Sequence, residues 1–106
     1  MRTFPRSLDT FRKIVNERGA RLRKLTFNEI EKLADGPIEH LSVESRPSTI
    51  GIIVENRPNG SLRVVVQGFM TARFVPFMKH VALDGFYKLP DNNVTLMPNE
   101  EFYEFD

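Results

Sequence analysis

At 106 residues and 12.3 kDa, with 41% hydrophobic and 27% charged residues, the chain fits one globular domain, residues 1–106, burying roughly 65% of its unfolded surface. It has no cysteine, which excludes disulfides, a thiolate nucleophile and Cys-based zinc or iron–sulfur sites. The net charge of +1 excludes no partner class, but it is unevenly spread: residues 1–35 carry nine Lys/Arg against five Asp/Glu, and residues 76–106 two against six.

The start, MRTFPRSLDTF, lacks the apolar core of a signal peptide, and no apolar run approaches the ~18 residues needed to span a bilayer. A cytoplasmic, microbial protein with no membrane association is expected. Residues 7–18 place Leu8, Phe11, Ile14 and Val15 at helical spacing. Ser7 stands as N-cap, Asp9 in the first turn, and Gly19 as the stop after Arg18. A second helix opens on Thr26-Phe27-Asn28-Glu29, the sequence of a capping box. Leu25 and Ile30 make its hydrophobic staple, and Asp35-Gly36-Pro37 ends it. Its apolar stripe is Phe27, Ile30, Leu33 and Ala34.

After Pro37 the period changes. Ile38, His40 and Ser42 alternate with Glu39, Leu41 and Val43, which predicts a short strand closed by a turn at Arg46-Pro47-Ser48. From Ile50 to Phe69 two β-branched runs flank Arg57-Pro58-Asn59-Gly60. Proline presets φ for the second turn position, and glycine takes the positive φ of a G1 bulge. The resulting register sets Glu55 opposite Arg63, Val54 opposite Val64, Ile53 opposite Val65 and Ile52 opposite Val66. Ile50, Ile52, Val54, Leu62, Val64 and Val66 then share one face, which the helices would cover.

Residues 72–84 suit either a helix, with Phe74, Phe77, Met78, Val81 and Ala82 on one face, or a strand in which Phe77, Val81 and Leu83 alternate with Met78, His80 and Ala82. Extended structure from about Lys79 is favoured, because GFYKL and VTLM flank Pro90-Asp91-Asn92-Asn93 as a second hairpin. The ending, PNEEFYEFD, suits a helical turn or an edge strand. Helices first and strands afterward predict an α+β domain: two N-terminal helices packed on one face of a mostly antiparallel sheet of about 4–5 strands.

No catalytic, cofactor or metal motif is present. His40 and His80 lack metal-ligand spacing, and only a fold bringing them into one cleft would let them work together. Asp91-Asn92-Asn93 starts like a calcium loop but lacks the distal glutamate. The acids Asp84, Glu100, Glu101, Glu104 and Asp106 have no spacing that demands catalysis. No catalytic, cofactor-binding or metal residue is therefore assigned, no cofactor is expected, and no family signature is recognised.

Two binding readings remain. The sheet face away from the helices carries Ile53 and Val65 with part of the aromatic second half, so Ile53, Val65, Phe86 and Tyr87 are candidate protein-binding residues. The patch disappears if the C-terminal segment folds back over it. Arg18, Arg21, Arg23 and Lys24, with Arg12 and Lys13 beside them, form a basic segment between the helices, the candidate nucleic-acid contact. The expected function is a small interaction or regulatory module of inhibitor, immunity or adaptor type. It binds a protein partner or a second copy stoichiometrically; the alternative is a nucleic-acid-binding accessory protein.

Overall fold

The computed structural model describes residues 6–33, 36, 38–71, 79–98 and 100–101. In chain order the elements are α1 (Arg6–Arg23), α2 (Phe27–Glu31), β1 (Glu39–Val43), β2 (Arg46–Asn56), β3 (Leu62–Thr71), β4 (Lys79–Lys88) and β5 (Val94–Leu96). The strands form one antiparallel meander in the order β1-β2-β3-β4-β5. Both helices lie on one side of it, so the α+β architecture holds.

The central hairpin has the register its turn dictates: Ile52 faces Val66, Ile53 faces Val65, Val54 faces Val64 and Glu55 faces Arg63. Gly60 takes φ +88, and Arg57 N–H donates to Ser61 O across the loop at 2.9 Å. The β4–β5 hairpin repeats the same device. Leu89 N–H donates to Asn93 O and Asn92 N–H to Leu89 O, both at 2.9 Å, with Asn92 at φ 74 in the place of Gly60. In each loop an Asx side chain, Asn59 or Asp91, accepts the backbone N–H two residues on.

Alternation along paired strands assigns the faces. Leu62, Val64, Val66, Gly68 and Met70 of β3 share a face with Lys88, Phe86, Asp84, Ala82 and His80 of β4. Gly68 marks this as the helix side, because a β-carbon there would stand 2.6 Å from Phe11 Cζ and 2.8 Å from Val15 Cγ2. The core is Leu8, Phe11, Val15, Leu22 and Ile30 from the helices against Val43, Ile50, Leu62, Val64, Val66, Met70 and Phe86 from the sheet.

Three local expectations are corrected. The first helix begins at Arg6, which puts Ser7 inside it, and continues past Gly19 to Arg23. Gly19 is buried over Asp84, so its small size serves contact with the sheet. Helix α2 ends at Glu31, a turn before the Asp35-Gly36-Pro37 stop, although its capping box forms as expected, with Thr26 N–H donating to Glu29 Oε1 at 2.9 Å and Glu29 N–H to Thr26 Oγ1 at 3.2 Å. The turn before β2 is Glu44-Ser45, both at positive φ (49 and 69), while Arg46-Pro47-Ser48 lies within β2. Pro47 pairs only toward β1, where β2 has not yet reached β3, a position that tolerates a missing N–H. The strand reading from Lys79 onward holds, and Phe74, Phe77, Met78, Ala34 and residues 102–106 lie outside the described residues.

Candidate interaction surface

The basic cluster is not a connecting segment. Arg18, Arg21 and Arg23 belong to the last turns of α1, and exposed Lys24 follows directly. Each arginine has an acidic partner. Arg18 donates to both Glu39 oxygens at 3.0 and 2.8 Å, Arg21 to Glu17 at 2.6 Å, and Arg23 to both Asp84 oxygens at 2.8 and 2.9 Å. The Arg23 guanidinium also lies 4.9 Å from the centre of the Phe86 ring. The bond from Arg18 holds the Glu39 carboxyl below its ordinary range, and the bonds to Asp84 make Arg23 still harder to deprotonate. The buried Lys88 amine donates to Arg23 O at 3.0 Å, placing a cation at the carbonyl end of α1.

The helix-free face of the sheet divides into two halves. At the end bearing the central turn, the C-terminal segment folds back. Met97 lies against Gly85, and Glu101 accepts bonds from the Tyr87 hydroxyl and, at 2.9 Å, from Arg63. The Arg57 guanidinium covers the Tyr87 ring at 4.1 Å and pairs with Glu101 at 3.6 Å. The Tyr87 bond first, then Arg63 and Arg57, hold the Glu101 carboxyl below its usual range, while burial and Glu101 push the Tyr87 phenol up.

This placement corrects the candidate patch. Val65 is 0% exposed, and Phe86, also 0% exposed, faces the helices; neither side chain is part of the accessible surface. Tyr87 is half-buried within the Glu101 cluster, and Ile53 stays half-exposed on the helix-free face. The other half of that face carries Phe69, Val81 and Leu83, all half-buried and joined by register, since Phe69 pairs with Val81 and Gln67 with Leu83. The sequence signal for Val81 and Leu83 was their alternation along β4; which face they occupied depended on the register with β3.

His40 and His80 do not share a cleft. His40 pairs with Thr49 on the helix-free face, whereas His80 pairs with Met70 on the helix face. A shallow cleft of about 180 Å³ is bordered by His40, Thr49, Phe69, Thr71 and Lys79, without His80. Asp91 accepts from Asn93 within its turn, and among the described residues no three His, Cys, Asp or Glu side chains are grouped to hold a metal ion. No described helix is long and apolar enough to cross a membrane.

No known protein-family model matches the chain, and neither a curated protein nor a solved structure matches it.

Proposed function

We propose that this protein is a stoichiometric protein-binding module of regulatory, inhibitor or adaptor type, working through the helix-free half-face built on Ile53, Phe69, Val81 and Leu83. The observation that supports this reading is the contiguity of half-buried Phe69, Val81 and Leu83. Paired strands β3 and β4 bring these three together on the side of the sheet that neither helix covers, and Ile53 stands on the same face beyond Val65 and Gln67. Lys79 at one end and Glu55 at the other are exposed, giving the apolar centre a charged rim of the kind recognition surfaces carry. The partner this surface suits presents an apolar or aromatic anchor with acidic groups toward the Lys79 end.

The nucleic-acid alternative has less support, because Arg18, Arg21 and Arg23 already pair with Glu39, Glu17 and Asp84. Phosphate contact would require breaking those pairs.

The test is affinity purification from the native cell with mass spectrometry, comparing the natural chain with Phe69→Lys and Leu83→Lys. A protein recovered in one-to-one amount with the natural chain, and lost from both variants while their circular dichroism is unchanged, is the expected result. Undiminished capture by both variants sinks the surface, and retention on heparin at low salt that Arg21→Ala with Arg23→Ala abolishes favours the nucleic-acid reading.

A further inference from the structure

Strand β4 is ten residues long, but β5 pairs only with Phe86, Tyr87 and Lys88. Met97, which continues β5, stands against Gly85. Among the described residues, no strand flanks β4 from Lys79 to Asp84 on the side away from β3. Open edges are ordinarily blunted by proline, a bulge, short length or a projecting charge. This one has none of these along His80-Val81-Ala82-Leu83-Asp84, because the Asp84 carboxylate is held by Arg23 on the helix side.

The edge is also complementary to itself. Antiparallel pairing with a second copy about a two-fold axis at Ala82 sets His80 opposite Asp84 of the other copy and Val81 opposite its Leu83, with the two Ala82 residues facing each other. On the helix side that gives an imidazole–carboxylate pair, repeated by symmetry, in which His80 donates to a lone pair of Asp84 that Arg23 leaves open, since Arg23 takes one on each oxygen. On the other side it gives two aliphatic pairs, and a small residue sits at the axis where side chains crowd most. Lys79 falls opposite Gly85, where the Met97 corner ends the pairing. This register uses all five residues from His80 to Asp84 in both copies.

The helices permit the approach. Helix α1 lies across β3 and β4, so with strands about 4.8 Å apart its axis and that of its mate would run roughly 10 Å apart and antiparallel, an ordinary helix-packing distance. The flank of α1 on this side, the stripe that ends in Arg23, carries exposed Arg12, Asn16 and Ala20, and the short Asn16 and Ala20 leave room for a second helix over the middle of the stripe.

We infer that this chain forms a two-fold homodimer through the β4 edge, joining two five-stranded sheets into one sheet of ten strands with all helices on one side. The contact shares Val81 and Leu83 with the helix-free half-face proposed above, whereas Phe69 and Ile53 lie on the inner strands β3 and β2, away from the seam. It lies at the small end of interface sizes, so association is concentration-dependent.

Sedimentation equilibrium should show the weight-average mass rising with concentration from 12.3 kDa toward twice that value. His80→Glu, which opposes like charges at both symmetric pairs, should weaken association about tenfold, while His80→Lys should preserve it. Because the natural chain has no cysteine, a single Ala82→Cys is a clean probe. Directly opposed antiparallel residues have Cα atoms about 4.5–5.5 Å apart, within disulfide reach, so mild oxidation should give a covalent dimer far faster than Ser42→Cys on the β1 edge. If Ala82→Cys fails to fold under α1, Val81→Cys with Leu83→Cys places the same cross-link on the other face. A monomer at every concentration up to about 1 mM overturns the inference. So does cross-linking through Ser42→Cys as fast as through the β4 variants, or unweakened association of His80→Glu. Leu83→Lys lies on both surfaces, but Phe69→Lys should lose the heterologous partner and keep the dimer, so the two proposals fail separately.

Discussion

The Asp84 carboxylate occupies the space in which a β-carbon on Gly19 would stand, since an added Cβ would lie 1.8 Å from Asp84 Oδ2. Gly19 lies in the interior of an 18-residue helix, where alanine would ordinarily stabilise by about 1 kcal/mol. Here overlap decides the sign, and Gly19→Ala should destabilise by roughly 1–3 kcal/mol, the range of an overpacked site. In an Asp84→Ala background the obstruction is gone, and Gly19→Ala should become stabilising by about 1 kcal/mol. Denaturant titration of the four members of the cycle measures both signs; a destabilising Gly19→Ala in both backgrounds contradicts the account.

Gly68 has the same kind of role on the sheet. Its missing side chain lets Phe11 and Val15 approach the backbone, and a β-carbon there would stand 2.6 Å from Phe11 Cζ. Gly68→Ala should cost about 2 kcal/mol by pushing α1 off β3. Adding Phe11→Leu, which removes the ring edge, should make the Gly68→Ala step less costly, and thermal melts of the single and double variants read the coupling.

The two proline-led turns separate conformational from bonding effects. Gly60 is at φ +88 with no atom within 4 Å of an added Cβ, so Gly60→Ala should cost about 1 kcal/mol from backbone strain alone. Asn92 is at φ 74, and its Oδ1 also accepts the Phe27 N–H at the start of α2 at 2.8 Å. Asn92→Gly gains backbone freedom and loses that bond, two changes of about 1 kcal/mol that nearly cancel. Asn92→Ala loses the bond without the gain and should cost about 1–2 kcal/mol. Equal losses for the glycine and alanine variants would show that the bond to Phe27 contributes all of the effect.

Acid should release the C-terminal segment. Glu101 is held below the ordinary value of 4.5 by Tyr87, then Arg63 and Arg57, and Glu39 is held below it by Arg18. A carboxyl depressed in the folded state contributes stability that is fully present above 4.5 and is lost as pH falls through the folded value. Melting temperature should therefore be flat from pH 7 to about 5 and decline below that. Glu101→Gln should lower it at pH 7 and flatten part of the decline. An unchanged acid limb in Glu101→Gln would mean that Glu39 and other carboxylates carry the whole effect.

What the chain specifies locally, and what only the assembled fold decides, divide along a physical line. Pro58-Asn59-Gly60 and Pro90-Asp91-Asn92 fix their turns because each residue type has few backbone conformations, and the hairpin registers follow with no help from the rest of the molecule. The Thr26–Glu29 capping box is legible for the same reason: its donors and acceptors lie three residues apart. Glu44-Ser45 carries no such signal. Both residues take a positive φ that their types do not favour, and pairing of β1 with β2 imposes it. By local propensity Gly19 is a helix stop, yet tertiary packing carries α1 on to Arg23, where Asp84 and Lys88 meet it.

The surface depended on long-range geometry throughout. Alternation alone could place Val65 and Phe86 on strands, but not bury one on the helix-free face and turn the other toward the helices. It could not separate His40 from His80 by the thickness of the sheet, or leave β4 without a flanking strand from Lys79 to Asp84 among the described residues. Turn chemistry and capping act over two to five residues, so sequence alone determined the two proline-led turns and which residues face each other across the central hairpin. Burial, charge pairing and edge exposure arise between residues tens of positions apart, so they were decided only when the helices and the C-terminal segment docked on the sheet.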